Sequence, residues 1–429
     1  MRSRFLDAWR RIFRAARGSR NFRLFLSGQF VSAIGTWMTF TATSWLVLTL
    51  THSGAALGIN AALAFGPVLI LGPWGGVLAD RFDKRRILTM TQTSAAVISF
   101  ALAAIVFTGV ATLWMVFALS LAAGCVTSID NPARQSFYVE MVGEEKLTNA
   151  VSLNSAAFTG ARIIGPAVAG LLIATVGMAI CFLLDAVSYA AVVAALLAMR
   201  PSEMHAQERS TRERGHLIAG IKYVWSTDEL RRPLIVMAIV FTFIFQWQIL
   251  VPLLAEKTFG AGAGEFGILS AAAGIGSFFG AITAANRNAS PTMQRLGVSL
   301  VGVGVAMALV ALAPTLAVAL ALMVPVGFFA MTFMITGNTM LQLGSKPQAR
   351  GRVMALYGAV FLGSTPIGAP LIGVLAGHLG ARVAFLGCGV LAVAVAIGVL
   401  WGRSGARRSV PHPAPDAIAL TGPEAAPAA

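Results

Sequence analysis

Gly76-Val77-Leu78-Ala79-Asp80-Arg81-Phe82-Asp83-Lys84-Arg85-Arg86 is a knot of charge between two uncharged runs, 54–78 and 87–109. Each flanking run exceeds the ~20 mainly apolar residues that cross a bilayer. Charge is excluded from the runs and gathered in the connector. That is the pattern of a helical hairpin spanning lipid, with its turn left in water.

The alternation continues in both directions. Twelve apolar runs fall near 24–51, 54–78, 87–109, 112–130, 151–176, 178–199, 233–255, 265–286, 294–312, 315–338, 352–378 and 382–401. Of 429 residues, 57% are hydrophobic and 11% charged, and mean hydropathy is +0.78. An ordinary soluble domain carries about 25% charged residues. A soluble enzyme, a disordered chain and a collagen-like fibre are excluded. Three cysteines make no disulfide framework, and Cys125, Cys181 and Cys388 all fall inside runs, as small packing residues.

A net charge of +15 invites a nucleic-acid reading. The placement of the charge argues against it. Lys and Arg lie almost entirely in connectors: eight Arg before residue 24, then Arg81, Lys84, Arg85 and Arg86, then Arg200 to Arg232, with the 4–5, 8–9 and 10–11 loops and the tail holding the rest. On the other side stand only Lys257 and Arg382. The bias predicts an even number of spans with both termini cytoplasmic, in a bacterial-type inner membrane. The chain then divides into an N-terminal segment 1–23, a six-helix bundle 24–199, a cytoplasmic loop 200–232, a second bundle 233–401 and a tail 402–429. Phe5, Leu6, Trp9, Ile12, Phe13 and Ala16 recur at helical spacing among arginines, as in an interfacial amphipathic helix; a disordered basic tail is the alternative. The segment is too long and Arg-rich for a cleaved signal. The Pro/Ala-rich tail reads as disordered.

The two bundles repeat each other. Phe158, Gly160, Gly165, Gly170 and Gly177 recur 203 residues on as Phe361, Gly363, Gly368, Gly373 and Gly380. Asn131 and Gln135 recur as Asn338 and Gln342, and Gly58-Ile59 as Gly267-Ile268. Duplicated six-helix halves are an architecture of secondary transporters. No Gly-x-x-x-x-Gly-Lys-[Ser/Thr] run is present for ATP. The five histidines are scattered, so neither a metal site nor an enzyme is expected, and no cofactor is expected.

At Gly76, Asp80, Arg81 and Arg85 the chain resembles the major facilitator superfamily, whose signature between its second and third spans reads Gly-x-Leu-Ala-Asp-Arg-x-Gly-Arg-Lys. Asp83 stands where that pattern has Gly. The resemblance implies a conformational latch that stabilises the outward-facing state; simple topogenic charge is the alternative. Gly160, Gly165, Pro166 and Gly170 resemble the Gly-Pro motif of the superfamily's exporters; tight helix packing is the alternative. Ser32 to Met38, Asp130-Asn131-Pro132-Ala133-Arg134-Gln135 with Asn149 and Asn154, and Arg350 to Met354 resemble the enterobactin-exporter and macrolide-efflux branch. The resemblance implies a monomeric, proton-driven exporter of a small organic molecule: a siderophore, a macrolide or a drug-like compound. A uniporter, importer or lipid flippase, and a non-transporting sensor or scaffold, remain as alternatives. The run 112–130 contains no Arg, where many drug:proton antiporters carry one.

Ionisable residues inside spans cost ~2.5–3.5 kcal/mol or more to insert and point to function. Arg162 in span 5, Asp185 in span 6 and Asp130 at the end of span 4 are the coupling candidates. Arg162 and Asp185 form a coupling pair, with Arg162 holding the carboxylate ionised or binding an anionic substrate group, or a structural tether, or neither. Asp130, before Asn131-Pro132, is placed to cap a short helix in the 4–5 connection. The resemblance sets a cavity between the halves, lined by spans 1, 4, 7 and 10. Its candidates are Gln29, Thr36, Trp37, Thr41, Trp114, Met115, Gln246, Trp247, Gln248, Phe329, Phe333 and Met334; ordinary lipid-facing apolar side chains are the alternative.

Overall fold

The computed structural model describes residues 18–205, 216–285 and 290–401. Among them, twelve helices are long and apolar enough to cross a membrane. Spans 1 to 6 are Arg20–Thr51, Gly54–Arg81, Lys84–Phe107, Leu113–Val142, Glu144–Thr175 and Met178–Leu197. A short helix, His216–Trp225, precedes span 7, Asp228–Thr258. Spans 8 to 12 are Ala263–Ala285, Met293–Leu312, Leu316–Gly344, Pro347–Leu379 and Ala381–Trp401. The expected amphipathic helix before residue 18 and the tail beyond residue 401 lie outside the described residues.

Packing obeys one rule twice. Within the first half, span 1 packs on spans 5 and 6, span 2 on 4, and span 3 on 4 and 6. Within the second, 7 packs on 11 and 12, 8 on 10, and 9 on 10 and 12. Adding six to each first-half pair gives its second-half counterpart. The halves meet through spans 2 and 11 and through spans 5 and 8, which the same operation exchanges.

Lipid offers helices no hydrophobic drive to associate, so close packing and hydrogen bonds hold them. At the end carrying the 2–3 and 4–5 turns, here called the basic end, Phe25 meets Phe137 and Tyr138 edge-on at 5.8 and 5.7 Å. Each such pair contributes about 0.5–1.5 kcal/mol beyond area burial. Asn21 exchanges two hydrogen bonds with the backbone of Arg200, at 2.9 and 3.0 Å. These contacts tie spans 1 and 4 and the end of span 6 into one body.

Two expectations are corrected. Span 4 does not stop at 130, and Asp130 caps nothing. The helix runs through Pro132 to Val142 and turns at Gly143, whose φ of 72° suits a residue without Cβ. Pro132 removes a single N–H from the ladder, while neighbouring spans hold the helix on both sides of it. Thirty residues rise ~45 Å, against a hydrocarbon core of ~30 Å, so span 4 projects well past the lipid. Arg134, read from sequence as a connector residue, therefore belongs to span 4.

Span 7 is interrupted. The Phe245 N–H donates to the Val240 carbonyl five residues back, at 2.9 Å, and Gln246 breaks the helical dihedrals. The buried Gln246 side chain turns inward and donates from Nε2 to the Phe241 carbonyl at 2.8 Å. It fills the hydrogen-bonding gap that the break opens. The helix resumes at Trp247 with a new facing.

Candidate functional site

The break in span 7 directs Trp247 and Gln248 to the seam between the halves. There they line a cavity of about 60 Å³ with Trp37, Phe40 and Thr41 of span 1, Arg162 and Pro166 of span 5, and Phe266, Ser270 and Ser277 of span 8. Among the described residues, Arg162 is the one ionisable side chain in its wall. Its guanidinium carbon lies 5.4 Å from the Trp37 ring centre and 5.9 Å from that of Trp247. One indole belongs to each half. Trp37 is held edge-on by Phe158 at 5.8 Å, and Trp247 is stacked on Phe245 at 5.2 Å. A cation over an indole gains about 0.5–2 kcal/mol. Two faces offset much of the ~2.5–3.5 kcal/mol insertion cost, yet leave the guanidinium donors without an anion among the described residues.

Arg162 and Asp185 do not pair. Asp185 is fully buried inside the first half, where it accepts from Ser99 Oγ of span 3 at 2.8 Å and lies against Gly35 of span 1. Arg162 points to the seam instead. Of the other cavity candidates, Trp37 and Gln248 line it, with Thr41 and Trp247. Gln246 does not, being spent on its own helix. Phe333 stands behind, edge-on to Phe245 at 5.8 Å. Thr36 faces span 6 and shares a hydrogen bond with Tyr189 Oη at 3.1 Å. Trp114 is 67% exposed on the outer surface of its span.

A second, polar cavity of about 170 Å³ lies within the first half, lined by Gln29, Asn131, Arg134, Gln135, Tyr138, Asn154 and Phe158. At its wall Asp130 forms an ion pair with Arg134. Its other oxygen accepts from Thr91 Oγ1 at 2.7 Å and Gln92 Nε2 at 2.8 Å, both on span 3. Around the cavity, Gln29 Oε1, Arg134 Nε and Tyr138 Oη are buried without a hydrogen-bond partner. A roomy polar space of this kind suits water. Sequence reasoning missed the Asp130–Arg134 pair, although its i, i+4 spacing was the available signal.

In the 2–3 connection, Asp80 is half-buried and Arg81 exposed, and neither makes an ion pair with a described residue. Their neighbours are engaged. Asp83 caps span 3, accepting from the Arg86 N–H at 2.8 Å, which explains an acid where the resembling signature has Gly. Lys84 pairs with Glu140 of span 4 at 2.5 Å. Arg85 donates to the Leu196 and Leu197 carbonyls at 2.7 and 3.0 Å, satisfying the C-terminus of span 6.

The span-5 motif serves two neighbours. Gly165 admits the span 1 backbone at Ile34 and Met38, and Gly170 admits span 8. A Cβ on Gly170 would fall 2.8 Å from Gly267 Cα, so the two backbones touch. The repeat does the same: Gly368 meets Thr242 of span 7, and Gly373 meets Gly54 of span 2. Gly160 has only Phe30 nearby. Away from the basic end the seam closes further, through a Trp45–Phe266 stack at 5.8 Å and a His52–Glu256 contact at 2.7 Å.

The comparisons agree with this architecture. The profile of the transmembrane secretion effector family matches residues 16–407. The staphyloferrin A transporter of Staphylococcus aureus is 27% identical over 59% of this chain, an alignment spanning 64% of that transporter's length. The multidrug efflux pump Tap of Mycolicibacterium fortuitum is 29% identical, covering 85% of this chain and 91% of Tap. The enterobactin exporter EntS of Shigella boydii is 25% identical, covering 82% and 84%. In fold, the chain is similar to a bacterial homologue of the human lysosomal transporter Spinster, with a TM-score of 0.69, 14% identity, and 89% and 94% of the two chains covered. A duplicated twelve-span bundle with a cavity on its seam thus agrees with a profile match over nearly the whole chain: the protein belongs to the transmembrane secretion effector family of the major facilitator superfamily, and is a multi-pass inner-membrane transporter with efflux-type relatives.

Proposed function

We propose that the protein exports a small amphiphilic organic molecule by proton antiport, through rocking of its two halves about the seam. The observation that carries this reading is the central cavity: aromatic walls from both halves, a few polar groups and one cation, well inside the lengths of the spans that line it. Concave, mostly apolar sites with few polar groups suit such a guest. The positive bias assigns the basic end and both termini to the cytoplasm. The seam contacts at Gly54, Gly170 and His52 then close the opposite, periplasmic end, and cargo enters from within.

The carboxylate best placed for coupling is Asp130. It sits beside a cavity that admits water, and protonating it releases Arg134. Asp185 is the second candidate, enclosed among spans 1, 3 and 6. Efflux-type relatives, among them an enterobactin exporter and a multidrug pump, support a siderophore or drug-like cargo.

The test uses inverted vesicles with an acidified lumen and a pH-sensitive dye, and a panel of siderophores, macrolides and cationic dyes. Dissipation of the gradient by a compound in wild-type vesicles, absent with Asp130→Asn, is the expected result. Flux of compound without proton movement would replace antiport by a uniporter, importer or flippase mode. No flux of any compound would sink the export reading.

A further inference from the structure

We propose that Arg162 is an anion subsite, and that the cargo presents to it a carboxylate or phenolate borne on an aromatic body. This rests on the export reading only in calling the anion a cargo. The acidic side chains deep within the spans are committed elsewhere: Asp130 to Arg134, Thr91 and Gln92, and Asp185 to Ser99. Glu256 meets His52, and Glu265 accepts the Gly262 N–H, both at the far end. Among the described residues, the cavity wall contains no carboxylate. Arg162 therefore has five N–H donors and two indole faces, and no anion among the described residues.

The surroundings add donors. The Trp37 indole N–H is buried with no acceptor among the described residues, and Gln248 and Ser270 stand in the same wall. A guanidinium with parallel N–H groups suits a two-oxygen anion. Trp37, Phe40, Trp247 and Phe266 supply flat faces for a ring attached to it. Because Trp37 and Trp247 come from opposite halves, a bound anion contacts the surfaces that must part and close during transport.

The test measures binding to the purified full chain in phosphatidylcholine nanodiscs by equilibrium dialysis. The probes are 1-naphthoate, its neutral methyl ester, and acetate as charge without a ring. The prediction is that naphthoate binds at least tenfold more tightly than the ester or acetate. Arg162→Gln removes that preference while ester binding stays, and Arg162→Lys keeps part of it. The acid–ester comparison needs only the wild type, so it stands even if a variant misfolds. Equal binding of acid and ester, no naphthoate binding, or full naphthoate binding by a folded Arg162→Gln protein would overturn the proposal. Adding phosphatidylglycerol tests the other source of anion: displacement of naphthoate by that lipid would assign Arg162 to a lipid phosphate and overturn it too. If naphthoate binds as predicted and no compound crosses vesicle membranes, the export reading fails and the anion subsite stands.

Discussion

At Asp130, Thr91 and Gln92 converge on one carboxylate oxygen and Arg134 takes the other. Removing one partner of a buried pair leaves an uncompensated charge, at a cost of about 3–5 kcal/mol. Asp130→Asn is therefore expected to lower thermal stability in detergent sharply. The double variant Asp130→Asn with Arg134→Gln recovers most of that loss, and coupling fails in both. Asp83→Ala is a contrasting case. It removes an exposed cap worth ~1 kcal/mol, so a small drop in melting temperature with unchanged flux is expected. Sequence picked out Asp130, Asp185 and Arg162 because lipid makes every intramembrane charge conspicuous. It did not show their partners. Asn131-Pro132 resembles a helix boundary, which hid that Asp130 and Arg134 share one helix. Which of two glutamines, Gln246 or Gln248, lines the cavity also escaped it, because the helix breaks at Gln246, just after a hydrogen bond from Phe245 to the Val240 carbonyl five residues back.

Helix contacts on the seam place small residues where backbones touch. Gly170 and Gly267 join spans 5 and 8, and Gly54 and Gly373 join spans 2 and 11. Gly170→Val puts two methyl groups where no space exists. Normal expression with flux reduced tenfold or more is expected, checked by compound uptake in vesicles. Gln246→Leu orphans the Phe241 carbonyl at the span 7 break, at about 1–3 kcal/mol. The expected sign is a melting temperature below wild type. These glycines were legible from sequence as a repeat at one offset. Their pairing was not, because an internal repeat reports that two elements are alike and not which neighbour each one meets.

For the molecule as a whole, hydropathy was the informative signal: lipid admits only helices with their backbone groups satisfied, so twelve apolar runs already implied twelve spans. The exchange of spans 2 and 11 with 8 and 5 then supplies two similar hinges for one rocking motion. The His52–Glu256 contact is a light clasp across the seam. An ion pair this exposed, with His52 protonated, is worth about 0–1 kcal/mol, so Glu256→Gln shifts the balance of open and closed forms at that end by about fivefold or less. Distances between spin labels on the 1–2 and 7–8 turns read that shift. Export through the central cavity is tested most directly by adding a transported fluorescent compound to inverted vesicles. Ala273 of span 8 also lines the cavity, and wild type and Ala273→Trp, a substitution that fills that space, are compared with the proton gradient intact and collapsed by an ionophore. Proton-driven export through this cavity gives accumulation in wild-type vesicles only while the gradient stands, and none in folded Ala273→Trp protein. Equal accumulation with and without the gradient, or by both proteins, would contradict it.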